Sequence, residues 1–454
     1  MDSEARRRID LLFDENSFVE TKEAVAEGVI TGYGQVGGCP VFAFIQDSSV
    51  KGGSVGMAHA RKICSIYEMA VDAGAPIVGY LDSAGIRLSE SYDGAAATAL
   101  LSSVSARAAG YIPRISVIYG QAGGIMSLIA GLSDIVCMEN DAKKFINSPD
   151  AIEGISKDKK DISSAECAYN ELGTADFIGS DEETAGYVRD IITHLPLNAK
   201  SKSFVQEIGD VIDDLNRASN LEPYKNDIPA FSKELSDGGF YIPFRDGFAK
   251  DMVAGFISLG GITVGVFGNN EAGTDEGSAY LTPGGMNKAA DFVKMCCAFH
   301  VPVLSLINVK GYERRLHTEK CMPRAMRNFV SVYANAPVPK IALNIGDSAG
   351  TAYLAYGSHE GGADLVYAWP NVNMALLSDE DAAMIAGADA QSYEDGLQAA
   401  LSSGAVDKVI NPADTRKYLI SAFGLLLEKD PGRPLMPDGP RERIKNGLGK
   451  LLRR

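Results

Sequence analysis

Two tandem α/β domains, each with a largely parallel sheet, are predicted for this chain of 454 residues. Three observations predict them. The chain repeats itself at long period, each copy alternates apolar strands with helix-patterned stretches, and the apolar strands end in glycine-bearing turns.

The repeat is read directly from landmark residues. Pro76, Gly85, Pro113, Gly120 and Gly124 recur 226 residues later as Pro302, Gly311, Pro339, Gly346 and Gly350. Upstream, Gly32, Gly37-Gly38 and Val41 recur 223 residues later as Gly255, Gly260-Gly261 and Val264. A loop-length change accounts for the small difference in offset. Such a register marks two copies of one fold. The expected domains are residues 1–222 and 223–454, with the Pro- and Asn-bearing stretch Asn216 to Pro229 as the linker.

Each copy reads in the same order. A Gly-Gly hairpin joins two β-rich strands. A helical stretch follows, His59 to Ala73 in the first copy and Asn287 to Phe299 in the second, with apolar residues three and four apart. A buried strand then runs from Ile77 to Leu81, or from Val303 to Ile307, into a glycine turn. A second helix, a second buried strand and a second glycine turn complete the unit. Strands alternating with helices imply parallel pairing through right-handed crossovers.

Composition excludes several classes. Apolar content of 46% and charged content of 22% suit a globular protein. A net charge of −16, from 43 basic and 59 acidic residues, argues against a nucleic-acid surface. The locally basic tail from Arg441 to Arg454 reads as a solvated helix. The seven cysteines form no C-x-x-C pair, which disfavours a zinc ribbon and suits buried thiols in a reducing cytoplasm. No signal-peptide pattern opens the chain. The apolar stretch Ile115 to Met138 is interrupted by Gly120, Gln121, Gly123, Gly124, Gly131 and Asp134. It reads as strand, turn, helix and strand rather than a direct membrane span.

The turns carry the chemical prediction. They are Ser83-Ala84-Gly85-Ile86-Arg87 and Gly120-Gln121-Ala122-Gly123-Gly124-Ile125 in the first copy. In the second they are Lys310-Gly311-Tyr312 and Gly346-Asp347-Ser348-Ala349-Gly350-Thr351-Ala352. Carboxyl ends of parallel strands are where open α/β sheets place ligands. Two such turns side by side can aim two backbone N–H groups at one oxygen, an oxyanion hole worth about 3–4 kcal/mol per donor. No phosphate-loop motif or H-E-x-x-H occurs, and nothing marks a base to activate Ser83 or Ser127. The base must then come from substrate or cofactor.

These residues resemble the carboxyltransferase family of biotin-dependent acyl-CoA carboxylases and decarboxylases, such as propionyl-CoA carboxylase β chains and methylmalonyl-CoA decarboxylase α chains. The likeness spans Arg8-Ile9-Asp10, Gln46-Asp47, Gly52-Gly53-Ser54, His59-Ala60, Gly74-Ala75-Pro76 and Asp82-Ser83 with Gly85 and Arg87. It continues through Phe145-Ile146, Pro149-Asp150, Val338-Pro339-Lys340, Gly350 with Ala352-Tyr353, and Tyr367-Ala368-Trp369-Pro370. It implies two tandem crotonase-like (ClpP/crotonase superfamily) ββα-repeat domains, in a cytoplasmic homohexamer or trimer. The first domain takes acyl-CoA and the second carboxybiotin, and the active site lies between the first half of one subunit and the second half of another. Biotin on another subunit supplies both the carboxyl group and the missing base, and the acyl α-carbon is the other partner. Implied partners are a biotin carboxyl carrier protein and either a biotin carboxylase or a membrane decarboxylase subunit, which sets the direction of the reaction.

By the same resemblance, amides of Gly85, Ile86, Gly123, Gly124 and Ile125 hold the thioester enolate, and those of Gly311, Tyr312, Gly350, Thr351 and Ala352 the biotin ureido oxygen. Arg61, Lys62, Ser83, Arg87, Tyr353 and Leu354 are the implied substrate-binding residues; Arg61 and Lys62 equally fit a solvated helix face. Ala84, Ile86, Ile125 and Thr351 stand where smaller residues are usual, which predicts a narrower pocket. Two other readings compete: a non-catalytic scaffold subunit of a heteromeric carboxylase, and a crotonase-type hydratase or isomerase of CoA thioesters.

Overall fold

The computed structural model describes residues 4–23, 27–147, 161–198, 214, 217–274, 279–378, 383–384 and 396–427. Pro149-Asp150, Asn216 and the basic tail from Arg441 lie outside the described residues. The chain divides into two compact units, the first taking in Met1–Ser201 and the second Lys202–Leu435.

The first unit is built on a sheet of β1 (Val19–Thr21), β2 (Val29–Val36), β3 (Cys39–Gln46), β4 (Ile77–Ser83), β5 (Arg114–Gly123), β6 (Ile135–Glu139), β7 (Lys143–Phe145) and β8 (Phe177–Gly179). Its order is β1-β2-β3-β4-β5-β6-β8, with β7 on the far end of β5. The β1–β2 and β2–β3 pairs are antiparallel and the rest parallel. Parallel strands covered on both faces must be apolar along their length, and β4 reads Ile77-Val78-Gly79-Tyr80-Leu81 for that reason. The helix Met57–Ala73 puts Ile63, Ile66 and Tyr67 into a core shared with Phe44, Leu81, Leu101 and Val104. The stretch Ile115 to Met138 is β5, a short helix Ile125–Gly131 and β6. Among the described residues, no helix is long and apolar enough to cross a membrane.

The second unit repeats the plan with β9 (Ile242–Pro243), β10 (Met252–Leu259), β11 (Ile262–Asn269), β12 (Tyr280–Leu281), β13 (Val303–Val309), β14 (Gly311–Tyr312), β15 (Lys340–Ala349), β16 (Leu365–Ala368), β17 (Asn373–Ala375) and β18 (Lys408–Val409). The main sheet runs β18-β16-β15-β13-β11-β10-β9, with β17 on the end of β15, and β12 pairs β14 separately. Phe292, on the helix Pro283–Ala298, sits 5.3 Å from Phe244 and 5.2 Å from Phe256 between ring centroids. That helix starts four residues before the position read from periodicity, because Thr282 caps it and Pro283 is accommodated in its first turn.

The repeat extends to individual hydrogen bonds. Both Gly-Gly hairpins have left-handed φ at both positions (+55° and +79°; +58° and +80°), the type I′ geometry that matches strand twist. An aspartate closes each one. Asp14 accepts the Gly37 and Gly38 N–H groups at 3.0 Å each and pairs with Arg189 at 2.8 Å. Asp237 accepts the Gly260 and Gly261 N–H groups at 3.1 and 2.8 Å and pairs with Arg416.

The expected linker ends differently from its reading. Leu221 and Ile228 are fully buried, and Asp227 caps the helix Ile228–Leu235 by accepting the Ala230 N–H at 3.1 Å. Proline and polar residues there serve a helix start, not a solvated connection. All seven cysteines are free thiols; Cys39 and Cys321 are partly exposed and the other five buried.

Candidate active site

In each unit two strand ends carry the turns, and a shared irregularity sets them apart. The β4–β5 register shifts between Leu81 and Ser83, and the β13–β15 register shifts between Ile307 and Val309. At each shift one side chain fills the gap. Asp82 Oδ1 accepts the Gln121 N–H at 3.0 Å, and Asn308 Oδ1 accepts the Asp347 N–H at 3.0 Å. The glycines facing them, Gly120 and Gly346, have no alternative: a Cβ on either would lie 2.2 Å from the Asp82 or Asn308 Oδ1. Asp82 enters the sequence pattern through its likeness alone, and neither Asp82 nor Asn308 carries a predicted role, although both sit on the 226-residue register beside landmark glycines.

The first turn of the first unit leaves one amide over. Gly85, at φ +99°, donates its N–H to the Ser83 hydroxyl at 3.1 Å. Ser83 is fully buried and is occupied in holding this turn. Ile86 is bridged in parallel to Val55, through Val55 N–H to Gly85 O at 2.8 Å and Arg87 N–H to Val55 O at 3.0 Å. That pattern turns the N–H of Ile86 itself away from Val55. No described residue accepts from it.

The second turn behaves likewise. Gly124, at φ +55°, donates its N–H to Phe145 O at 2.9 Å. Ile125 opens the following helix, where an N–H has no intrahelical partner, and no described residue accepts from it. The turns are neighbours, since a Cβ on Gly85 would lie 3.0 Å from Gly123 O. Of the five residues predicted here, Ile86 and Ile125 keep an unpaired amide, while the amides of Gly85 and Gly124 shape the turns.

In the second unit Gly311, at φ +143°, begins β14, which pairs Tyr312 with Leu281. The Glu313 N–H donates to Leu281 O at 3.0 Å, so Tyr312 stands to Leu281 as Ile86 stands to Val55. Gly350, at φ +63°, leads the helix Gly350–Gly357, and no described residue accepts from the Thr351 or Ala352 N–H. Tyr312 and Thr351 meet through their hydroxyls at 3.4 Å. Ala352 turns its methyl into the core. Tyr353 is half-buried, which raises its phenol pKa, and Leu354 lies at the surface.

The charged candidates separate. Arg61 is exposed, whereas Lys62 on the next position is 3% exposed and burial holds its ammonium pKa below the usual value. Arg87 turns inward: its guanidinium pairs with Glu27 at 2.5 Å and Glu90 at 3.0 Å and donates to Ser54 O at 2.7 Å. It braces the loop that carries Val55. His59 is buried and neutral, with burial lowering its pKa to about 4; its Nδ1 lies 2.8 Å from Glu27 O and its Nε2 3.2 Å from Gln46 Nε2. The motif residues Gln46, Ser54, His59 and Arg87 therefore support the turn from behind.

Residues 3–435 match the carboxyl transferase domain model. A propionyl-CoA carboxylase beta chain of Roseobacter denitrificans is 31% identical over 95% of this chain and 92% of its own length. A methylmalonyl-CoA decarboxylase subunit alpha of Veillonella parvula is 31% identical over 94% of this chain and 91% of its own. Among solved structures, the transcarboxylase 12S hexamer with hydrolysed methylmalonyl-coenzyme A bound superposes with a TM-score of 0.86 at 28% identity, covering 96% of this chain and 91% of that one. The fold is two tandem crotonase-like α/β units. With the repeated strand-end turns and this likeness along nearly its whole length, the chain belongs to the carboxyl transferase family and is a carboxyltransferase.

Proposed function

We propose that the chain transfers a carboxyl group between biotin, borne on a separate carrier protein, and the α-carbon of an acyl-CoA such as propionyl-CoA/methylmalonyl-CoA or acetyl-CoA/malonyl-CoA. The observation that carries this reading is the pair of turns in each unit whose Ile86 and Ile125, or Tyr312 and Thr351, amides have no acceptor among the described residues. Residues 1–222 take the acyl-CoA and residues 223–454 the biotin. The Ile86 and Ile125 N–H groups hold the thioester oxygen as it gains negative charge, and the Tyr312, Thr351 and Ala352 N–H groups hold the ureido oxygen. Gly85, Gly123, Gly124, Gly311 and Gly350 give those amides their direction. Biotin supplies the transferable carboxyl and the base. Arg61 is suited to a CoA phosphate, Tyr353 and Leu354 to the acyl side, and Ser83 and Arg87 to positioning the first turn. A biotin carboxyl carrier protein, together with a biotin carboxylase or a membrane decarboxylase subunit, completes a cytoplasmic assembly.

The test is biotin-dependent exchange. Purified protein is incubated with labelled methylmalonyl-CoA or malonyl-CoA and biotin, and label is followed into carboxybiotin. Transfer supports the reading, and Gly124→Pro, which removes the N–H to Phe145 O and cannot adopt φ +55°, abolishes it. Failure of the unmodified protein across a CoA panel, in an assembly with an active paralogue, replaces the reading with a scaffold subunit.

A further inference from the structure

The two units present the same backbone at their turns but opposite side-chain chemistry. Ile86 and Tyr312 occupy equivalent places, each bridged in parallel to the residue before a helix N-cap, Val55 or Leu281. Ile125 and Thr351 both follow the left-handed glycine that comes directly after β5 or β15. In the first unit both positions are isoleucine. Ile86 lies against Gly94, where an added Cβ would be 3.2 Å from its Cγ2, and Ile125 packs on the core. In the second unit both positions bear hydroxyls, and these lie 3.4 Å apart.

Resting on the proposed function, we infer that the Tyr312–Thr351 hydroxyl pair is a specificity-determining contact for a planar ureido or carbamate group, and that the Ile86–Ile125 pair is its apolar counterpart for an acyl thioester. A ureido group offers a carbonyl acceptor and an N–H donor in one plane. Backbone amides satisfy only the carbonyl. Each hydroxyl has one donor and two acceptor sites, so the linked pair retains a free O–H and free lone pairs beside the amides. It therefore accepts the ureido N–H and donates to a carboxylate oxygen on the neighbouring nitrogen. Two isoleucines do neither, and a buried ureido N–H facing them would be left without a partner. The same isoleucines suit the alkyl chain and sulfur of a thioester, which need no donor. Hydroxyl donors and acceptors thus stand beside the amides at the second turn, where the first turn has isoleucine side chains.

The experiment compares the unmodified protein with Tyr312→Phe and Thr351→Val, which keep ring and branch but lose the hydroxyls, and with the double variant. Binding of biotin methyl ester is measured by ligand-observed NMR, binding of methylmalonyl-CoA by calorimetry, and exchange as above. Each single variant weakens biotin methyl ester about tenfold, the value of one net hydrogen bond near a polar ligand, and leaves methylmalonyl-CoA unchanged. The double variant weakens it little further, because the two hydroxyls act as one hydrogen-bonded unit. Unchanged biotin ester binding in all three variants overturns the inference while leaving the function intact. Equal loss of both ligands overturns it too, because the effect is then not selective. A protein that neither binds biotin methyl ester nor performs exchange refutes the function itself, and the inference with it.

Discussion

At Gly120 a methyl group would sit 2.2 Å from Asp82 Oδ1, and that oxygen is not free to retreat because it holds the Gln121 N–H. Gly120→Ala therefore forces Asp82 off its bond, at about 1–3 kcal/mol. Asp82→Ala removes the same bond directly. Denaturant titration of both variants and the double variant gives a double-mutant cycle in which the double variant costs about as much as Asp82→Ala alone. Additive losses would show that the two residues act separately. His59 makes a second residue-scale prediction. Burial lowers its folded pKa from 6.5 to about 4, so the unfolded chain takes up a proton that the native one refuses. Stability falls as pH drops from 6.5 towards 4, by about 3 kcal/mol in all, and this group contributes no further loss below that. Urea midpoints across this range test it, with His59→Gln flattening that part of the profile.

Among elements, the Gly-Gly hairpins are equivalent in backbone but not in environment. Arg189, which braces Asp14, has a side chain 34% exposed, whereas Arg416, which braces Asp237, is 1% exposed. Removing Asp14 lets water reach its arginine; removing Asp237 leaves a buried guanidinium without its carboxylate. Asp14→Ala is expected to cost about 1–2 kcal/mol and Asp237→Ala about 3–5 kcal/mol. Thermal or urea unfolding of the two variants checks the order, and equal losses would contradict it. The same reasoning explains the turns as elements. Their glycines are set by left-handed φ at Gly85, Gly124, Gly311 and Gly350, and their useful amides by what the neighbouring strand already takes.

For the whole molecule, several large apolar side chains stand at the surface of the described residues in both units. Leu88 is 86% exposed, Tyr92 83%, Leu316 73%, Leu376 67% and Ile146 63%. Positions near both turns carry them, and surfaces of this kind are normally covered by a partner. The transcarboxylase 12S relative is a hexamer. Sedimentation of the purified chain should give three or six times the protomer mass, falling when Leu88 and Leu316 are replaced by serine. A monomer at micromolar concentration would contradict this.

Much of the architecture was legible because it is written in local pattern. Landmark prolines and glycines held the repeat, apolar runs marked β4, β5, β13 and β15, and the Gly-Gly pairs marked hairpins. The turns were legible for the same reason: a glycine with φ above zero is a property of its own backbone. Which amide each turn leaves unpaired was not. That depended on Val55, Phe145 and Leu281, residues brought alongside by parallel pairing. Arg61 and Lys62 are adjacent in sequence and alike in charge, yet one faces solvent and the other the interior, because successive positions on a helix point about 100° apart. Arg87 looked available until Glu27 and Glu90 surrounded it. The sequence by itself determined two copies of one α/β unit, with turns placed at equivalent strand ends. Only the tertiary structure decided which hydrogen-bond donors those turns keep for a ligand, since a donor is free only when every distant neighbour has declined it.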